Sequence, residues 1–138
     1  MAYWILAYAA LAGSGGADWR LAGTTYNSVA FVDLASVEGS GASRRFTAMR
    51  VSGQPAKDGW RNVVQKLTVN CDTRVFVDAG SRIEQSDGSV KTYPGFGATQ
   101  RAVSSGVFFD MYQVVCEGSD ARRVSDPQAW TRANFTVG

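Results

Sequence analysis

The clearest secondary-structure signal in the chain is residues 60–71, which read WRNVVQKLTVNC. Apolar side chains occupy alternate positions of this stretch, namely Val63, Leu67, Val69 and Cys71. The positions between them are mostly polar, as expected for a β-strand with one face in the core and the other in water. The pattern therefore predicts a strand of an antiparallel sheet in which Cys71 points into the core.

Similar runs lie on both sides of this strand and are separated by turn signals. The other predicted strands are residues 19–26, 29–37, 45–51 and a run beginning at Val75. Residues 86–89, Ser-Asp-Gly-Ser, predict a tight hairpin because Asp-Gly suits a primed turn. Short turns between successive strands indicate an antiparallel meander sheet of about five or six strands. These patterns do not assign the course of residues 93–103.

The hydrophobic period changes at Ser105, where an amphipathic helix is predicted. One stripe at helical spacing is polar or small and comprises Gly106, Asp110, Gln113 and Glu117. The opposite stripe is apolar and comprises Phe108, Met111, Tyr112 and Val115. Ser104 or Ser105 suits the N-cap, and Gly118 suits the stop. The predicted fold class is therefore α+β, with a C-terminal helix packed on one sheet face. In the tail, residues 119–138, Asp126-Pro127 predicts a short helix containing Trp130.

The chain has two cysteines, one on the predicted strand and one near the end of the predicted helix. Exported compartments favour oxidation of such a pair, so we predict a Cys71–Cys116 disulfide that pins the helix to the sheet. If the chain is not exported, two buried reduced cysteines are the alternative.

The N-terminal residues 1–17 begin with an apolar run that has no charged side chain. The run is too short to span a bilayer, which takes about 20 apolar residues. It resembles the apolar part of a secretory signal peptide, although no Lys or Arg precedes it. The alternative is a buried first strand or helix. We therefore predict a domain at residues 18–118 that is exported to the periplasm, cell surface or extracellular space, with no stable transmembrane span.

Composition excludes several classes of function. The 138 residues contain no histidine, which excludes Ser-His-Asp and Cys-His catalysis and makes a zinc site improbable. A net charge of +2 does not indicate nucleic-acid binding. Asp33, at a strand end beside Ser36, is predicted to cap the following turn and not to catalyse. No catalytic residue, cofactor or metal site is predicted.

Several short motifs occur in a recognisable order between residues 19 and 116. They are Trp19, the segment Phe31–Val37, Asn70-Cys71 with Arg74, and Val115-Cys116. In these motifs the chain resembles the bacterial surface-adhesin E-like family, whose type member is protein E of Haemophilus. It departs from that pattern in residues 102–106 and has no cysteine for lipid attachment after the apolar run. The resemblance implies a sheet and C-terminal helix joined by the disulfide, and a role in binding host matrix or serum proteins.

The predicted function is that of a non-enzymatic, exported, adhesin-like domain whose partner is a host matrix or envelope protein. Tyr93, Phe96, Arg101 and Trp130 are the candidate partner contacts, because aromatic side chains near arginines suit protein interfaces. The alternative is a structural subunit of an envelope or extracellular assembly whose apolar N-terminus packs into a neighbour. A homo-oligomer is left open.

Overall fold

The computed structural model describes residues 16–39, 41–53, 59–95, 97–99 and 101–135, so nearly all of the predicted signal segment lies outside the described residues. The described residues form seven strands: β1 (Trp19–Thr24), β2 (Ser28–Glu38), β3 (Ser43–Ser52), β4 (Trp60–Asn70), β5 (Phe76–Gln85), β6 (Val90–Tyr93) and β7 (Gly97–Ala98). They also form two helices, α1 (Gly106–Cys116) and α2 (Pro127–Asn134). None of the helices in these ranges is long and apolar enough to cross a membrane.

The strands form one antiparallel sheet in the order β1-β2-β3-β4-β5-β6, and the short β7 also pairs with β5. The predicted α+β meander is therefore confirmed. The stretch 60–71 is a central strand, paired with β3 on one side and with β5 on the other. The hairpin predicted at Asp87-Gly88 joins β5 to β6, and Gly88 has a positive φ. Part of the unassigned segment 93–103 forms β7 on the edge of β5.

The main core lies between α1 and one face of the sheet, called here the α1 face. Side chains alternate along a strand, so β2 to β5 bring one set of apolar residues to this face. The buried residues of this core are Ala30, Val32, Phe46, Ala48, Leu67, Val69, Phe76, Met111, Tyr112 and Val114. Val114 is the one buried helix residue that the predicted apolar stripe did not include.

A second, smaller core covers the opposite sheet face. Its buried members are Val29, Phe31, Val51 and Val124, with Trp19, Leu21, Met49, Trp130 and Phe135 packed against them. Trp130 of α2 meets Phe31 edge to face, with ring centroids 6.1 Å apart. Residues 28–33 are therefore buried on both faces of β2, as the continuous apolar run 29–32 allows.

A disulfide joins Cys71, which follows β4, to Cys116, the last residue of α1, with their Cα atoms 5.5 Å apart. The predicted bridge between sheet and helix is therefore confirmed. The Tyr112 hydroxyl donates to the Cys71 carbonyl at 3.3 Å. The Arg74 guanidinium lies over the Tyr112 and Phe109 rings, 5.2 and 5.8 Å from their centroids. The helix end is thus held by covalent, polar and cation–π contacts.

The predicted turns and caps have mixed outcomes. Asp33 lies within β2 and not at a strand end, so the turn predicted after it is wrong; its Oδ1 instead accepts from the amides of Asp18 and Ala35, beside a register shift between β2 and β3. Asp126 caps α2 by accepting from the Ala129 amide at 3.1 Å. Ser105 occupies the N-cap of α1, but its side chain makes no capping hydrogen bond, so that part of the prediction is wrong. Its extended backbone leads directly into Gly106, which has a positive φ.

Candidate functional site

A cleft of about 740 Å³ opens on the α1 face of the sheet. Helix α1 packs mainly against β1 and β2, and Phe108 near its beginning forms one wall of the cleft. The floor consists of strand residues Arg50, Val63, Gln65, Asp78, Ser81 and Ile83. The rim includes Tyr26, Asn27, Trp60, Tyr93 and Gly95.

The sheet register explains why these floor residues meet. Arg50 pairs with Val63, and Val63 pairs with Ile83 on the next strand, so the three side chains form one row across the sheet. The adjacent row runs from Gln65 to Ser81. Residues directly opposite on antiparallel strands share a face, so both rows point into the cleft.

Two polar side chains are deeply buried in the floor. Gln65 is 4% exposed and Asp78 is 3% exposed, and Gln65 Nε2 donates to Asp78 Oδ2 at 3.1 Å. The Asp78 carboxylate also accepts from the Gly80 amide at 2.9 Å and from the Ser81 hydroxyl at 3.2 Å. These bonds satisfy the buried carboxylate from within the chain. They also orient the Gln65 amide, because its NH₂ group must face Asp78.

Arg50 and Gln65 each keep a buried atom without a partner. Arg50 is half-buried, and neither its Nε nor Gln65 Oε1 has a hydrogen-bond partner among the described residues. Burial lowers the pKa of the Arg50 guanidinium, and the charge of Asp78 opposes that change. The cleft floor therefore contains one buried donor and one buried acceptor that no described residue satisfies.

Aromatic side chains surround this polar floor. Tyr26 is 84% exposed and Tyr93 is 48% exposed, whereas Trp60 and Phe108 are half-buried. The turn that carries Tyr26 is ordered by a 2.8 Å hydrogen bond from the Thr25 amide to the Ser28 carbonyl. The exposed tyrosines are thus presented by the β1–β2 turn and by β6, on two sides of the cleft.

Three of the four predicted partner contacts lie in the described part of the chain, and of these Tyr93 lines the cleft. Arg101 is exposed but does not line the cleft, and Phe96 lies outside the described residues. Trp130 belongs to the second core, on the opposite sheet face. Tyr93 and Trp130 therefore lie on opposite faces of the sheet.

Sequence reasoning missed Arg50, Gln65 and Asp78 because each lies within a strand. A signal was present for Gln65, which occupies an inward position between Val63 and Leu67 in the alternating stretch. A polar residue at such a position must be satisfied, or it marks a site. Asp78 gave no such signal, because the alternation of Val75 with Val77 favours the other face, whereas the structure buries Phe76 and Asp78 and exposes Val77.

Comparisons with known proteins show the fold and no more. No protein-family model matches the sequence, and no curated protein matches it. Among solved structures, crystal form II of Haemophilus influenzae protein E is similar, with a TM-score of 0.53 and 14% identity. The match covers 73% of this chain and 87% of that chain. The resemblance to the protein E type is therefore confirmed at the level of the fold.

Proposed function

We propose that this chain is a non-enzymatic, exported protein-binding domain that contacts its partner through the cleft. The observation that carries the proposal is a pair of exposed tyrosines, Tyr26 and Tyr93, beside a floor with unsatisfied polar atoms. Aromatic side chains are enriched at protein interfaces, where their rings bury large areas with little loss of conformational entropy. The adhesin-like role comes from the sequence resemblance, which the shared fold supports.

Binding suits the cleft better than catalysis does. The chain has no histidine, and Asp78, the one carboxylate among the described residues of the cleft floor, accepts three hydrogen bonds from its own chain. A general base must reach a substrate proton through a free lone pair, and these contacts occupy most of that capacity. Arg50 offers charge and hydrogen-bond donors but no proton at neutral pH. The floor can therefore recognise a ligand without transforming it.

The test is capture by purified host matrix, serum and cell-envelope proteins immobilised as a panel. We expect the wild-type domain to bind at least one of them, and the double variant Tyr26→Ser/Tyr93→Ser to lose most of that binding. The matched control is Val77→Ser/Val90→Ser, which removes two exposed apolar side chains from the opposite sheet face. Equal loss in both variants, or no capture by the wild type, would contradict the proposal.

Export is tested separately through the disulfide. Disulfides persist in oxidising compartments and are rare where glutathione keeps thiols reduced. We expect peptide mapping without reductant, on protein taken from its native compartment, to recover Cys71 and Cys116 as one linked peptide pair. Recovery of both as free thiols would refute the export proposal and leave the cleft proposal intact.

A further inference from the structure

Building on the proposed function, we infer that the cleft binds the carboxylate side chain of an Asp or Glu on an extended segment of the partner protein, with Arg50 as the ion-pair partner. The polar atoms of the floor, the charges around them and the shape of the walls all support this ligand.

Arg50 has hydrogen-bond donors that it can offer to a ligand. The ion pairs formed within the described ranges join Arg20 and Arg123 to Asp18, Arg45 to Glu38, and Arg61 to Glu84. Arg50 takes part in none of them, and its Nε has no hydrogen-bond partner within the same ranges. A guanidinium presents its donors in a rigid fork that matches a carboxylate. The unpaired donors of Arg50 therefore suit a carboxylate supplied by another molecule.

Asp78 does not pair with these Arg50 donors. Its carboxylate is held by Gln65, Gly80 and Ser81, and it lies no closer to the Arg50 nitrogens than the 4.0 Å limit of an ion pair. Desolvation outweighs the attraction of Asp78 in its effect on the Arg50 pKa. The desolvation of the Arg50 cation is thus already present in the free protein, and an incoming carboxylate would compensate that charge.

Gln65 also bears on the ligand, because its Oε1 is a buried acceptor with no partner in the described part of the chain. Its amide is oriented by Asp78, so this oxygen points away from the carboxylate and is the one floor acceptor that a ligand N–H could still satisfy once it enters the described floor. An acidic residue within a peptide supplies both groups, a side-chain carboxylate for Arg50 and a nearby backbone amide for Gln65. A simple inorganic anion supplies only acceptors.

The size and lining of the cleft also favour a peptide ligand. A cavity of about 740 Å³ is far larger than one carboxylate needs. Its apolar and aromatic lining includes Trp60, Ile83, Tyr93 and Phe108, which can pack against residues that flank the acid. Such packing excludes water and strengthens the ion pair, because the local dielectric constant falls. A peptide segment therefore uses the whole cleft.

Selection from a displayed library of random peptides, flanked on both sides so that no free carboxyl terminus is exposed, tests this inference. We expect enriched peptides to carry Asp or Glu at one fixed position with apolar neighbours. Affinity should fall at least about tenfold when that acid becomes Asn or Gln, as expected for losing a charge-assisted hydrogen bond. Arg50→Gln should cause a similar loss, whereas the control Arg82→Gln, exposed on the opposite face, should not.

A second measurement uses the wild-type protein alone and does not depend on variants that fold. The Nε–H resonance of Arg50 should shift during titration with N-acetyl-glutamic acid amide, and should move much less with N-acetyl-glutamine amide. Enriched peptides without acids, or no enrichment, would overturn the inference, as would equal shifts with both compounds. A requirement for a free carboxyl terminus would also overturn it. Partner capture that depends on Tyr26 and Tyr93 but survives Arg50→Gln would refute the acidic ligand and retain the proposed function.

Discussion

Asp78 shows how a single buried carboxylate shapes the cleft. It orients Gln65, accepts from the Gly80 amide and accepts from the Ser81 hydroxyl, all from a position that is 3% exposed. The carboxylate therefore holds the β4–β5 part of the floor in one arrangement. Arg50 has no comparable set of partners, so the two charged residues of the floor have different roles. Asp78 organises the site, and Arg50 is available to a ligand.

Removing the Asp78 carboxylate should destabilise the fold. In Asp78→Ala, the Gly80 amide and the Gln65 NH₂ group would lose their acceptor inside the protein. Each buried donor left unsatisfied costs roughly 1–3 kcal/mol, so we expect the free energy of unfolding to fall by about 2–4 kcal/mol. Urea denaturation measures this change. The control is Asp72→Ala, an exposed turn position whose variant should match the wild type; equal losses would contradict the account.

A second residue-scale prediction concerns Asp87 in the β5–β6 hairpin. The Ser89 hydroxyl and amide donate to its carboxylate, and they lower its pKa, the hydroxyl contributing most. Because the folded pKa lies below the unfolded one, the resulting stability is present above the unfolded pKa and is lost as the pH falls through the folded pKa. We expect Ser89→Ala to raise the Asp87 pKa towards its ordinary value in an NMR titration of the side-chain carboxyl carbon. An unchanged pKa would show that the hydroxyl is not the cause.

At the scale of elements, a strand or helix could be predicted when its hydrophobic pattern lay within one segment of the sequence. Residues 60–71 and 106–116 each have a single hydrophobic period, so their type and inward faces followed from local sequence. The predicted pairing of Cys71 with Cys116 followed from those two elements. The cleft, in contrast, depends on the register of β3, β4 and β5, which brings Arg50, Gln65 and Asp78 together. No single segment contains that information.

The position of α2 was also beyond local sequence. The Asp126-Pro127 signal predicted a helix there, but its packing on the second sheet face depends on a long-range contact. Phe135, at the end of α2, lies directly against Gly53, where an added Cβ would overlap the phenylalanine ring. Because residue 53 has no side chain, the Phe135 ring can pack directly against the backbone there.

Gly53→Ala should displace the end of α2 for this reason. We expect Phe135 to leave this position and Trp130 to lose part of its packing on Phe31, at a cost of about 1–3 kcal/mol, typical of overpacking. Trp130 fluorescence and thermal unfolding measure the two effects. The control Gly41→Ala places a Cβ in open space, and there only the positive φ should cost stability. An unchanged Trp130 signal in Gly53→Ala would contradict the proposed contact.

At the scale of the whole molecule, the disulfide ties the first half of the sheet to α1. It closes a loop with a sequence separation of 45 residues, which contains β5, β6, β7 and most of α1. Asp78, Tyr93 and Phe108 lie inside the loop, whereas Tyr26, Arg50 and Gln65 lie outside it. The cleft is therefore assembled from both parts of the chain, and its geometry depends on their remaining together.

Replacing both cysteines by alanine should remove a large part of the stability. On the chain-entropy model, opening a loop of this length lowers the free energy of unfolding by about 4 kcal/mol. We expect a matching shift of the urea midpoint relative to the oxidised wild type. Reduced wild-type protein is the control and should unfold like the double variant. A double variant as stable as the oxidised protein would show that other contacts hold α1 in place.

The same bridge also determines how the molecule would respond to a pulling force. Tension applied at the two ends passes through the Cys71–Cys116 bond and bypasses the 45-residue loop, which withholds about 150 Å of contour length from extension. Residues 72–115 would therefore bear no tension while the remainder of the chain lengthens. Single-molecule stretching should reveal this hidden length only after a reducing agent is added.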